Sequence, residues 1–179
     1  MRKQQGFTLI ELIIVIVILG IIAVTAAPQF IGFSTDARKA TVNGLLGSVK
    51  GASQLVHARA LAGGAADVAD TSTTPAVPTV TTETGTVTLN YLYASASTLQ
   101  QALDITVGTD ADWNLLLLDG TAVGTLGAEA TGTDASQTVI YPQGVNSPIA
   151  ATDAGTCYVI YQEATDTSAP VIQAKTDGC

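Results

Sequence analysis

The sequence predicts an α+β protein. One long N-terminal α-helix, apolar in its first half and amphipathic in its second, packs on an antiparallel β-sheet, and a cysteine-bounded loop closes the C-terminus. Three observations predict this. Residues 7–27 (FTLIELIIVIVILGIIAVTAA) form an unbroken apolar run with one charge, Glu11. Beyond Pro28, the apolar residues Val42, Leu45, Leu46, Val49, Ala52 and Val56 recur at spacings of three and four, as one buried helix face requires. From residue 87 onward, short β-rich runs alternate with Gly, Asp and Pro clusters.

The first run is long enough as a helix to cross the roughly 30 Å hydrocarbon core of a bilayer and too long for the apolar core of a cleaved secretory signal. Arg2 and Lys3 precede it, which predicts a cytoplasmic N-terminus and an exported C-terminal part. Charge divides the chain in the same way. Residues 1–60 hold six basic residues against two acidic ones, a balance of +4, whereas residues 61–179 hold only Lys175 against thirteen acids, a balance of −12. An acidic exported part disfavours phosphate backbones and anionic lipid as its ligands, so no nucleic-acid partner is expected. Glu11 is the anomaly, because an ionisable side chain inside a membrane helix costs a few kcal/mol and usually has a specific partner.

The residues Gly6-Phe7-Thr8-Leu9-Ile10-Glu11, after a six-residue basic leader and before the apolar run, resemble the class III signal of type IV prepilins and type II secretion pseudopilins. The likeness continues through ILGIIAVTAAPQF and, more loosely, DARKATVNGLLGSVKGASQLVHARA, which is similar to type IVa pilins of the mannose-sensitive haemagglutinin class. It covers about the first 62 residues closely and the rest in plan. The resemblance implies a pilin fold and cleavage between Gly6 and Phe7 by a membrane prepilin peptidase. It also implies N-methylation of Phe7 and pairing of Glu11 with the Phe7 amine of a neighbouring subunit. The implied partners are further copies of the chain in a helical filament, an inner-membrane assembly platform and its ATPase-driven machinery. Before assembly the chain would sit in the inner membrane, single-pass, and afterwards in an extracellular fibre. Adhesion, biofilm formation and motility are the roles the family offers, and a type II secretion pseudopilin is the alternative.

The domain plan follows from the same reading: leader 1–6, long helix 7–62 with its membrane and assembly segment at 7–27, connecting loop 63–86, and β-sheet head 87–179. Gly63-Gly64 supplies the helix stop. Pro28 removes a backbone donor and Gly20 is a second weak point. In type IVa filaments the matching stretch is extended, so local loss of helix between Gly20 and Pro28 is expected after assembly. Ala40, Gly44, Gly47, Gly51 and Ala58 form a second stripe, nearly opposite the apolar one, that reads as a close approach to neighbouring helices, with Phe30 and Phe33 above it. Residues 65–86, rich in Thr, Ala, Pro and Asp, read as a solvated surface connection.

Strands are expected over 87–93, 113–118, 138–141, 157–162 and 171–175, with a short helix over 97–104. Cys157 and Cys179 are the only cysteines. In an exported protein an even pair favours a disulfide, while metal binding is the weaker reading because His57 alone could add an imidazole. By the resemblance, 157–179 is the disulfide-bounded, variable, surface-exposed loop. His57 lies off the apolar stripe and reads as a solvated helical residue. Asp110-Ala111-Asp112-Trp113-Asn114 imitates the start of a calcium loop but lacks the following glycine and has Thr121 where a bidentate Glu belongs. No catalytic set, metal site or cofactor is therefore expected, the chain is read as a non-enzyme, and no residue identifies a glycan pocket.

Overall fold

The structure, a computed structural model, describes residues 7–65, 77–108, 110–118, 137–148 and 155–179. The leader, with Gly6, and the position of Thr121 lie outside them. The chain divides into two units, Met1–Arg38 and Lys39–Cys179. Helix α1 (Leu9–Ala62) begins in the first and ends in the second. Its backbone is helical through Gly20 and Pro28 in this unassembled chain.

In the second unit, Val42, Leu45, Val49, Val56 and Ala60 of α1 are buried, and Leu46 and Ala52 pack beside them. The three-and-four spacing has become one covered face. The glycine stripe lies on the open side: Gly44, Gly47 and Gly51 have no neighbouring atom where a Cβ would stand. The helix ends as expected, with Gly64 at φ 65° and Ala65 N–H donating to Ala60 O at 3.0 Å.

The sheet differs from the single one expected. Among the described residues there are two antiparallel sheets, β1 (Thr79–Thr81), β2 (Thr86–Asn90) and β3 (Tyr93–Ala94) in one, and β4 (Trp113–Leu118), β5 (Gln137–Pro142), β6 (Tyr158–Gln162) and β7 (Val171–Lys175) in the other, each in sequence order. β1 lies inside the expected surface connection, because Thr79-Val80-Thr81 pairs with β2 from Thr86 to Thr88. The expected strand 87–93 is instead a hairpin: Tyr91 (φ 50°) and Leu92 (φ 67°) both take left-handed backbone between β2 and β3. Two non-glycine residues in that conformation are costly, and tertiary contacts hold them. The His57 Nδ1 lies 3.2 Å from Leu92 O, and its ring stacks on Tyr93 with centroids 4.1 Å apart. His57 is therefore a half-buried brace on the hairpin and not a solvated residue.

One hydrophobic cluster joins α1, β2, β3, the 3-10 helix Ala96–Ala102 and the inner face of the second sheet through Ile140, Val159 and Tyr161. A seam of hydrogen bonds ties the two sheets together. Tyr161 OH donates to Ala94 O at 2.5 Å, and Thr138 Oγ1 donates to Ala96 O at 2.5 Å. Glu163, buried just after β6, accepts from Asn90 Nδ2 (2.8 Å) and Ser95 Oγ (2.7 Å) and from the Ala96 N–H.

Burial pushes the Tyr161 hydroxyl well above the usual tyrosine range, and the Glu163 charge adds to the shift. An unfolded tyrosine loses its proton near pH 10 while the folded one keeps it. This contribution is therefore whole below about pH 10 and falls by about 1.4 kcal/mol per pH unit above it. Urea unfolding between pH 9 and 11.5 should show that slope, and Tyr161→Phe should make it shallower by one proton. An unchanged slope in the variant would contradict the assignment.

Cys157 and Cys179 form the disulfide, with Cα atoms 4.8 Å apart. The tail is also fastened by Gly178 N–H donating to Thr156 O at 3.2 Å, an approach at which a Cβ on Gly178 would collide with Thr156 Oγ1. Closing a loop of this length contributes about 3 kcal/mol. Either Cys→Ser variant should lose that, with a drop of about 10 °C in melting temperature. An unaffected melting temperature would contradict it.

Candidate functional site

The chemistry that stands out is at the start of α1, in the first unit. Phe7 is 92% exposed and Thr8 precedes the first helical turn. A helix start leaves its first N–H groups without intrahelical acceptors, and this one answers with its own side chains. The Thr8 N–H and Oγ1–H donate to Glu11 Oε2 at 2.9 and 2.8 Å, and the Glu11 N–H donates to Thr8 Oγ1 at 3.3 Å. This is a reciprocal capping box, Thr-x-x-Glu, and its carboxylate also lies at the positive end of the helix dipole. The signal is present in the sequence as Thr8-Leu9-Ile10-Glu11, but reading Glu11 only as a charge awaiting a partner passes over Thr8. Both Thr8 bonds fall on Oε2. Among the described residues, no hydrogen bond to Oε1 competes with a further donor.

From this cap an apolar helix runs away from the charge. Leu9–Ala26 has mean hydropathy 3.0 over 18 residues, and none of that window is buried. Leu9, Ile10, Ile16, Leu19 and Ile21 are each more than half exposed. A helix apolar on every side is stable only inside lipid or among other helices. Of the residues singled out by the sequence, Phe7 and Glu11 stand together at this helix start, while Gly20 lies within the apolar stretch and Pro28 beyond it. Cys157 and Cys179 belong to the second unit.

Among the described residues, no group of three or more His, Cys, Asp or Glu is placed to hold a metal ion. The side chains of greatest structural consequence that local sequence patterns do not reveal are Glu163 and Tyr161. Their partners lie 67 to 73 residues away along the chain.

Residues 1–27 match the family described as the prokaryotic N-terminal methylation motif. The chain is also similar to the type IV narrow pilus major component PilA5 of Thermus thermophilus, at 44% identity over 50 residues, which is 28% of this chain and 43% of that protein. The chain thus matches less than half the length of that curated relative. No solved structure matches it.

Proposed function

We propose that this chain, which has the N-terminus of a type IV pilin, is the structural subunit of a type IV pilus. It is stored in the inner membrane, cleaved between Gly6 and Phe7 by a prepilin peptidase, and polymerised into a surface fibre. The observation that carries the reading is the pairing of a methylation-type N-terminus with an apolar helix whose one carboxylate stands at its first turn. Gly6 offers the peptidase a bond with no side chain on its N-terminal side. Cleavage there removes Arg2 and Lys3 and creates an ammonium at Phe7, the cation that a carboxylate in an apolar helix needs.

Glu11 can meet the Phe7 ammonium of a neighbouring subunit through Oε1 while Oε2 keeps its cap on Thr8. Helix integrity and axial register then depend on different oxygens of one side chain. Gly44, Gly47 and Gly51 leave one side of the lower helix without side-chain bulk, which suits close approach of neighbouring helices. On assembly, the stretch between Gly20 and Pro28 extends. The acidic head keeps the fibre soluble, and the remaining machinery is supplied by other proteins, an assembly platform and an ATPase among them. Adhesion to surfaces is the role this fibre would serve.

Replacing Gly6 by Val should block processing. The intact mass then stays that of the full chain, and fibres disappear from the sheared fraction. Normal processing and fibre yield in this variant would contradict the assigned cleavage site.

A further inference from the structure

A cavity of about 600 Å³ opens on the second unit, where the end of the 3-10 helix, the chain after it, the start of β4 and the turn between β1 and β2 meet. The volume lies in the range of small-ligand clefts, roughly 300–1,000 Å³. Its lining is divided by chemistry. Leu103, Ile105, Val107 and Trp113 make an apolar side, and Asp104 and Asp112 add two carboxylates. The apolar side is continuous with the interior, because Leu103 belongs to the hydrophobic core and Ile105 and Trp113 pack against it. Trp113 is thus half-buried, resting on the core and bordering the cleft, whereas both aspartates are exposed.

Hydrogen bonds fix these walls before any ligand arrives. The Gly108 N–H donates to Trp113 O at 2.9 Å, and Val107 pairs with Trp113 in an isolated parallel bridge. The start of β4 is thereby held against the chain that follows the 3-10 helix. The Gln143 N–H donates to Asp112 O at 3.0 Å. At the other end, Thr82 Oγ1 donates to Gln101 O at 2.6 Å and Thr84 Oγ1 donates to the same oxygen, which fastens the β1–β2 turn to the 3-10 helix.

Charge then narrows the choice of ligand. Residues 61–174, which supply every wall, contain no Lys or Arg. Such a surface repels an anion and offers a neutral molecule no electrostatic gain, whereas it concentrates cations. Two exposed carboxylates hold a bare metal ion poorly, because solvent screens them and a divalent ion takes about six oxygen ligands. The apolar side selects among the remaining cations. An ammonium on an aliphatic stem can lay its hydrocarbon along Leu103, Ile105 and Val107, meet the electron-rich indole of Trp113, and keep its charge with the aspartates in water.

We infer that this cleft binds a small aliphatic amine in its ammonium form, a linear diamine being the one that answers both carboxylates. The site lies in the head and operates whether or not the chain polymerises.

The test uses the full-length chain in nonionic micelles, near neutral pH and at low, fixed ionic strength. Cadaverine, a linear diamine, is titrated while the emission of Trp113, the one tryptophan of the chain, is followed. The corresponding diol presents the stem without the charge, and magnesium chloride presents charge without the stem. Cadaverine should give a saturable change, with the diol and magnesium each at least ten-fold weaker. The double variant Asp104→Asn, Asp112→Asn should bind cadaverine at least ten-fold more weakly with the far-UV spectrum unchanged. If that variant fails to fold, salt decides on the wild-type chain: raising sodium chloride from about 20 mM to about 500 mM should weaken cadaverine to the same degree. No saturable response to cadaverine, an equal response to the diol or to magnesium, wild-type affinity in the double variant, or indifference to salt would overturn the site.

Discussion

Replacing Glu11 by Ala should leave membrane insertion and cleavage intact and reduce the yield of sheared fibres at least ten-fold. Insertion becomes easier, because a charge worth a few kcal/mol in the apolar helix is removed. In the proposed processing, cleavage acts at the bond after Gly6, which this substitution leaves unchanged. Assembly is what suffers, since each Phe7 ammonium then enters the apolar interior of the fibre without a counter-charge. The variant also loses its capping box, so two companions separate the roles. Thr8→Ala removes the cap, at about 1 kcal/mol, and should assemble nearly normally. Glu11→Gln keeps an oxygen for the Thr8 bonds but carries no charge, and should assemble as poorly as Glu11→Ala. Wild-type fibre yield from Glu11→Gln would contradict the ion pair and leave the capping box as the residue's whole contribution.

The second large effect is expected at Glu163. Its carboxylate takes three donors from two strands' worth of chain, Asn90, Ser95 and Ala96, and so fastens the first sheet to the second. Hydrogen bonds to a buried charge contribute about 1.5–3 kcal/mol each, and removing the acceptor leaves donors buried with fewer partners. Glu163→Ala should destabilise the head by about 3 kcal/mol or more, read by urea unfolding of the processed chain. Glu163→Gln should recover most of this. Its new NH₂ group faces Asn90, whose Oδ1 is buried without a partner among the described residues. A flip of the Asn90 amide would restore the contact to residue 163 and give up the 3.3 Å bond from Asn90 Nδ2 to Ala164 O. Equal loss in the two variants would show that charge, and not hydrogen bonding, holds the seam.

The contrast between these two residues shows what sequence reasoning reaches. Glu11 is conspicuous because it interrupts an apolar run, and Thr8 stands three residues away in a known capping pattern. Glu163 follows a strand in an ordinary loop, and its partners are some 70 residues distant, so no local period or spacing announces it. The same division runs through the fold. The buried face of α1 and strands β4 and β7 are legible because apolar spacing, the apolar run Trp113 to Leu118 and the β-branched start of β7 are local signals. The Tyr91-Leu92 turn is not, because it lacks the Asn or Gly that left-handed backbone normally selects and relies on His57 from α1 instead. β1 is hidden by a Thr-rich composition shared by loops and edge strands.

The central claim is that this chain is processed at Gly6 and polymerises. The most direct measurement is its intact mass in two fractions of one culture, fibres sheared from cells and washed membranes. A chain beginning at methylated Phe7, two hydrogens light for the Cys157–Cys179 disulfide and abundant in the sheared fraction, is the result predicted for a fibre subunit. The same processed mass confined to membranes would point to a pseudopilin, and an unprocessed chain in both fractions would contradict the claim outright.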